Sequence, residues 1–242
     1  MDGVSLLPDN SEGEELRTPA GANSSTALCV GGRSIPLSTI PELAAIFSDE
    51  WLASEIWPAA TVLISAIEHC DSWRTLIQTA ELVVDLGSGT GVCGIAAAAL
   101  GAQRVLLTDQ PSALPLLQHN ASCSGLSSAV AVSALEWQTE WEVGPPLPTG
   151  TNVVLASDCL NTVYGTTHAA ALAGTMCALL RRGAPNAIGL MAQTATRKCK
   201  AEATFMAVCR ALGLIVQSVD HAAPALDSEA GARVSLHEVR LC

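Results

Sequence analysis

Residues 82–100 read LVVDLGSGTGVCGIAAAAL, and this stretch constrains the fold more than any other. LVVDL (82–86) is an apolar run of buried-strand type that carries one acid, Asp85, near its end. The glycines that follow, Gly87, Gly89, Gly91 and Gly94, let the backbone turn tightly and approach a ligand closely. GVCGIAAAAL (91–100) is apolar on every side, as a fully buried helix must be, and Gly101 stands where a helix terminates. A strand that is apolar on both faces belongs inside a sheet covered by helices on both sides.

The same alternation continues downstream. RVLLTD (104–109), AVAVS (129–133), NVVLASD (152–158), AIGLMA (187–192) and LIVQSV (214–219) read as strands. SALPLLQHNAS (112–122), THAAALAGTMCALLRR (167–182) and KAEATFMAVCRAL (200–212) read as the helices between them. RVSLHEVRL (233–241) alternates apolar and polar residues, with a one-residue phase slip near His237-Glu238. It follows the sixth strand through a loop only, and a parallel crossover needs a dozen or more residues, so this strand should return antiparallel. The expected fold is α/β: a Rossmann-like, doubly wound, seven-stranded sheet, mostly parallel with an antiparallel last strand. Upstream, residues 1–26 are rich in Gly, Ser, Pro and acids and read as a disordered tail. Residues 27–54 read as a hairpin around Gly31-Gly32 and a helical lead-in, and a helix begins near Trp57-Pro58.

The glycine loop admits two cofactors. From Gly89 it is G-x-G-x-x-G, the dinucleotide pattern; from Asp85 it is D-x-G-x-G-x-G, which suits a nucleoside without phosphate. Asp109 ends the next strand, 20 residues past Gly89, where a carboxylate can accept both hydroxyls of a ribose. That serves NAD and S-adenosylmethionine equally. Three features separate them. Asp85 would repel a pyrophosphate but attract the cationic amino group of S-adenosylmethionine. A dinucleotide loop usually opens its domain, whereas here a Trp-Pro helix precedes it. The antiparallel seventh strand fits methyltransferases rather than dinucleotide folds.

Bulk properties narrow the partners. The chain has 242 residues, 49% apolar and 14% charged, enough for one packed domain with an appendage. A formal net charge of −11 argues against nucleic acid and tolerates a basic partner. No apolar run reaches the roughly 18–20 residues that span a bilayer, and no secretory signal opens the chain, so a cytoplasmic protein is expected, with the nucleus as the alternative. A monomer is expected. The nine cysteines are scattered without a C-x-x-C pair, so no metal site is expected.

EIWPAATVL (55–63), VVDLGSGTGVCGIAAAALGA (83–102), VLLTDQP (105–111), LLQHN (116–120), LEW (135–137) and VLASD (154–158) stand in an order and spacing that resembles the seven-β-strand protein-lysine methyltransferases of the methyltransferase-like family. The resemblance covers roughly 55–242 and makes that segment an S-adenosylmethionine-dependent methyltransferase domain. It implies that Trp57 packs on the cofactor, that Gly87, Ser88 and Gly89 line it beside Asp85, and that Asp109 holds its ribose. It further implies that Trp137 contacts the adenine, that Ser157 closes the pocket, and that Asp158 faces the acceptor lysine of a protein substrate. Asn120, His119, Arg197, Lys198 and Lys200 read as structural or solvated.

The family's D-x-x-Y motif appears here as Asp158-Cys159-Leu160-Asn161, with Asn in place of the aromatic. Tyr164, the one tyrosine of the chain, lies three residues further on. The expected activity is methyl transfer to a lysine ε-amine of a protein. The alternatives are another side chain, a small molecule, or a non-catalytic fold that binds cofactor or partner.

Overall fold

The computed structural model describes residues 24–39, 55–141, 146–160, 164–194, 200–219 and 233–242. Strands β1 (Ser24–Val30) and β2 (Arg33–Thr39) form an antiparallel hairpin. Helices α1 (Pro58–His69) and α2 (Asp71–Thr79) follow. The alternating part runs β3 (Val83–Leu86), α3 (Val92–Ala99), β4 (Val105–Asp109), α4 (Leu114–Cys123), β5 (Val130–Ala134) and β6 (Val153–Ser157). It continues through α5 (Gly165–Arg182), β7 (Ile188–Thr194), α6 (Lys200–Ala211), β8 (Leu214–Val219) and β9 (Val234–Leu241). The seven-stranded sheet has the order β5-β4-β3-β6-β7-β9-β8, with β9 antiparallel to both of its neighbours. The expected α/β sheet with an antiparallel last strand is what the chain forms.

The pleat explains how one sheet serves two cores. Val83, Val105, Leu107, Val153 and Leu155 pack with α1, α3 and the hairpin on one face. Their neighbours Leu82, Val84, Leu86, Val154 and Ala156 pack with α5 and α6 on the other. Successive side chains of a strand alternate faces, so the continuous apolar runs fill both layers.

Two features lie beyond the sequence reading. Helix α2 was not expected; it buries only Trp73 and Ile77, and its N-terminal Cys70 gives no side-chain cap. Its Trp73 Nε1–H donates to Glu238 Oε1 at 2.8 Å, tying it to β9. In addition, β9 inserts between β7 and β8 instead of closing an edge. That position accounts for the phase slip: an interior strand has no solvent face, and both Leu236 and His237 are buried. The His237 ring is held between the Ser218 and Ser235 hydroxyls, at 3.3 and 3.1 Å.

Two contacts position the site. Asn120, fully buried, accepts the Ser38 N–H at 2.9 Å and donates to the carbonyls of Ser38 at 3.1 Å and Thr90 at 2.9 Å. It thereby joins the hairpin to the glycine loop. On the opposite face, Gly174 in α5 lets the helix press against the segment after β5: a Cβ there would stand 2.5 Å from the carbonyl oxygens of Gln138 and Thr139. The Thr175 hydroxyl beside it accepts from Gln138 N–H at 3.0 Å and Trp141 Nε1–H at 3.1 Å. Backbone atoms cannot swing aside as a side chain can. Gly174→Ala should therefore destabilise the protein by about 1–3 kcal/mol, read as a lowered denaturation midpoint.

Candidate active site

The carboxyl ends of β3, β4, β5 and β6 meet around a cavity of about 430 Å³. Gly87, Gly89 and Gly91 carry φ of +63°, +54° and +83°, values that an L side chain adopts only under strain. At Gly87 the space is closed as well, since a Cβ would come within 2.9 Å of Trp137 Cζ2 and 3.2 Å of Cys159 Sγ. Ser88 fastens the turn: its N–H donates to the Thr108 carbonyl, its hydroxyl donates to the Asp85 carbonyl, and it accepts the Thr108 N–H, each at 2.9 Å. The loop is thus pinned to both β3 and β4.

The two acids of the loop have different surroundings. Asp85 is 2% exposed and its Oδ2 accepts the Gly94 N–H at 2.9 Å, at the start of α3. Burial pushes its pKa from 3.8 to about 7, against the opposing pull of that N–H. Asp109 is more open; Oδ2 accepts the Gly89 N–H and Oδ1 the Gln110 N–H, both at 2.8 Å.

Asp158 follows β6 with φ of +53°, in the left-handed region that Asp tolerates better than most residues. Its Oδ1 accepts from Thr194 N–H at 2.8 Å and Gln193 Nε2 at 3.1 Å, and its Oδ2 from the Thr194 hydroxyl at 2.7 Å. The end of β7 therefore holds this acid in a strained backbone conformation, and strain of that kind concentrates at functional sites. Ser157 Oγ is buried near the Cys93 thiol, and among the described residues it has no hydrogen-bond partner.

Trp57, Asp85, Gly87, Ser88, Gly89, Asp109, Trp137, Ser157 and Asp158, the site residues expected from sequence, all line this one cavity. Tyr164 lines it too, whereas Asn161, Arg197 and Lys198 lie outside the described residues. Sequence reasoning missed Glu55, Glu136, Cys93, Cys159 and His168. Glu136 beside Trp137 and His168 four residues after Tyr164, one turn along a helix, were the signals available. Burial pushes the Cys93 and Cys159 thiols well up, so neither is poised as a nucleophile.

A profile of the lysine methyltransferase family matches residues 47–211. The chain belongs to the lysine methyltransferase family. Among its relatives, a zebrafish (Danio rerio) protein named protein N-lysine methyltransferase METTL21A is 34% identical over 118 residues, covering 46% of this chain and 51% of that one. EEF1A lysine methyltransferase 3 of Xenopus tropicalis is 36% identical over 95 residues, covering 39% and 40%. The match thus spans about half or less of each relative's length. Among solved structures, mitomycin 7-O-methyltransferase MmcR superposes with a TM-score of 0.56 at 14% identity, over 81% of this chain and 57% of that one. An O-methyltransferase family protein from Burkholderia thailandensis gives 0.53 at 14% identity, over 81% and 59%. These two likenesses show the methyltransferase fold.

The buried acid gives this lysine methyltransferase family member a pH signature. The folded, ligand-free protein holds the Asp85 proton up to about pH 7, while the unfolded chain releases it near 3.8. Folding stability contributed by this group therefore falls as pH rises between those values. Asp85→Asn should gain stability relative to wild type across that window and match it below, measured as the difference in denaturation midpoints over a pH series.

Proposed function

We propose that this chain transfers a methyl group from S-adenosylmethionine to a lysine ε-amine of a protein. The observation that carries the reading is the charge of the cavity. Glu55, Asp85, Asp109, Glu136 and Asp158 line it, and among its described lining residues there is no Lys or Arg. Such a site would repel a pyrophosphate and suits ligands that are cationic, as both a sulfonium cofactor and an ammonium acceptor are.

The residues present fit that cofactor. The glycine loop presents bare backbone to the cavity, and at Gly87 it is packed directly against the Trp137 indole, with no room for a Cβ between them. Asp109, at the end of β4 on the cavity wall, is a carboxylate of the kind that accepts the hydroxyls of a ribose. Asp85 can pair with an α-ammonium, which would draw off the proton that burial retains. Trp137 offers a broad apolar face for an adenine, and Trp57 closes the same cavity from the start of α1. Bound there, S-adenosylmethionine supplies a methyl group activated by a sulfonium.

The chain's own part is alignment. A free lysine has a pKa of about 10.4, so the acceptor must lose a proton before it attacks. A half-enclosed cavity favours the neutral amine by desolvation, and Asp158 sets a carboxylate beside its path. Holding the two reactants in line is worth several kcal/mol without a covalent intermediate. Residues 55–242 are proposed as the methyltransferase domain, with the hairpin of β1 and β2 ahead of it; β1 starts at Ser24, so the tail expected over 1–26 does not reach that far, and residues 1–23 and the lead-in at 40–54 lie outside the described residues. The protein is proposed to act as a cytoplasmic monomer, and no described helix is long and apolar enough to cross a membrane.

Calorimetry with S-adenosylmethionine should show binding that weakens roughly 10–100-fold in Asp109→Ala, the worth of charged hydrogen bonds to a ribose. A melting curve separates that loss from unfolding. Incubation with radiolabelled cofactor and cell lysate should then label a discrete protein band. Absence of binding by the folded protein would refute the reading; label in small molecules alone would move it to a different acceptor, and binding without any label would indicate a non-catalytic binder.

A further inference from the structure

Three rings stand together in the wall of this cavity. The Trp137 and His168 centroids are 4.5 Å apart with planes at 43°, and those of Tyr164 and His168 are 4.8 Å apart at 30°. Trp137 belongs to the segment after β5, which Gly174 and Thr175 clamp to α5. Tyr164 precedes α5 and His168 lies one turn into it. The wall has direction. Its inner end is the indole beside Gly87, and its outer end is Tyr164, which is 39% exposed. It leads from the place proposed for the cofactor out to solvent.

His168 is the unusual member. It is half-buried, its ring meets those of Trp137 and Tyr164, and among the described residues neither ring nitrogen makes a hydrogen bond. Burial holds its pKa below the ordinary 6.5, so the imidazole is uncharged at neutral pH. The titratable groups facing the same cavity are Glu55 ahead of α1, Asp85 and Cys93 from β3 and α3, Asp109 from β4, Glu136 from the β5 segment, Asp158 and Cys159 after β6, and Tyr164 on its own element. These acids would favour an imidazolium, and lost hydration outweighs them.

We infer that the outer, His168–Tyr164 end of this wall receives the alkylammonium of the acceptor, and that His168, seated against the Trp137 indole, is the positioning residue that admits the cation. The inference rests on the methyl-transfer reading. A lysine side chain offers methylenes that pack along flat rings and an ammonium that is attracted to aromatic faces. The same ring, once protonated, sets a like charge in the acceptor's path. The wall also supplies, from positions 164 and 168, an aromatic surface that Asn161 cannot.

The test uses the full chain saturated with S-adenosylhomocysteine, with n-butylammonium standing for the lysine side chain. Imidazole signals are followed by NMR; the chain has five histidines, and His168→Phe identifies the signal in question. The His168 resonance should shift saturably with added amine, and its titration should move to lower pH, since a nearby cation disfavours the imidazolium. Saturation transfer to the amine should report binding that weakens on acidification from about pH 8 to about pH 5.5. His168→Arg should weaken it roughly tenfold or more. His168→Phe, flat and uncharged, should lose far less and lack the fall on acidification. A silent His168 signal in protein that binds S-adenosylhomocysteine would overturn this inference alone, as would a loss in His168→Phe equal to that in His168→Arg. Failure to bind S-adenosylhomocysteine, seen before amine is added, would overturn the methyl-transfer reading and this one with it.

Discussion

A single hydrogen bond, from the Gly94 N–H to the buried Asp85 carboxylate, joins the end of β3 to the first turn of α3, and the site is organised around it. It can form only because α3 lies hard against β4. A Cβ on Gly94 would collide with Leu107 Cδ2 and stand 3.0 Å from Val105 Cγ1. The turn between must then reverse within a few residues, which is why Gly87, Gly89 and Gly91 all have positive φ. Removing water from Asp85 is the cost of this geometry, and its raised pKa is the trace of that cost. A cation arriving in the cavity would relieve it.

The rest of the cavity extends the same electrostatic logic. Five acidic side chains face it, with no lysine or arginine among the described lining residues, yet they are held differently. Asp109 accepts the Gly89 N–H of the loop it serves, so the glycine turn and its acid are one unit. Asp158 is bonded instead to the end of β7, through Gln193 and Thr194. The half proposed for the cofactor is therefore built by residues close in sequence, and the half proposed for the acceptor by residues distant in it.

That division explains what could be read from the amino-acid sequence. The strands were legible because LVVDL and its successors are apolar on both faces, and the pleat sends alternate residues into two cores. Asp85, the glycines and Asp109 were legible because they sit at fixed offsets along one βα unit. Helix α2 was not, since its apolar stripe of Trp73, Leu76 and Ile77 is confined to nine residues and its start carries no side-chain cap. The insertion of β9 beside β7 depends on pairing across the whole domain, for which only the phase slip at His237 gave a hint. For His168 the helical spacing from Tyr164 was the one local signal, and nothing local marks a histidine in the first turn of a helix as facing a tryptophan some thirty residues earlier.

The packing of α5 then decides more than stability. Gly174 and Thr175 bring the helix against the segment after β5, and that approach is what allows His168 to meet Trp137. A larger residue at 174 would push the helix away from the indole, and the indole away from Gly87, so a change in the second core would be felt at the glycine loop. On the opposite face Asn120 plays the corresponding part, with one side chain bonded to both the hairpin and the Thr90 carbonyl. The loop is thus braced from both faces of the sheet. Because each brace is a contact between distant segments, the geometry of the cavity is a property of the complete α/β sandwich and not of the glycine motif alone.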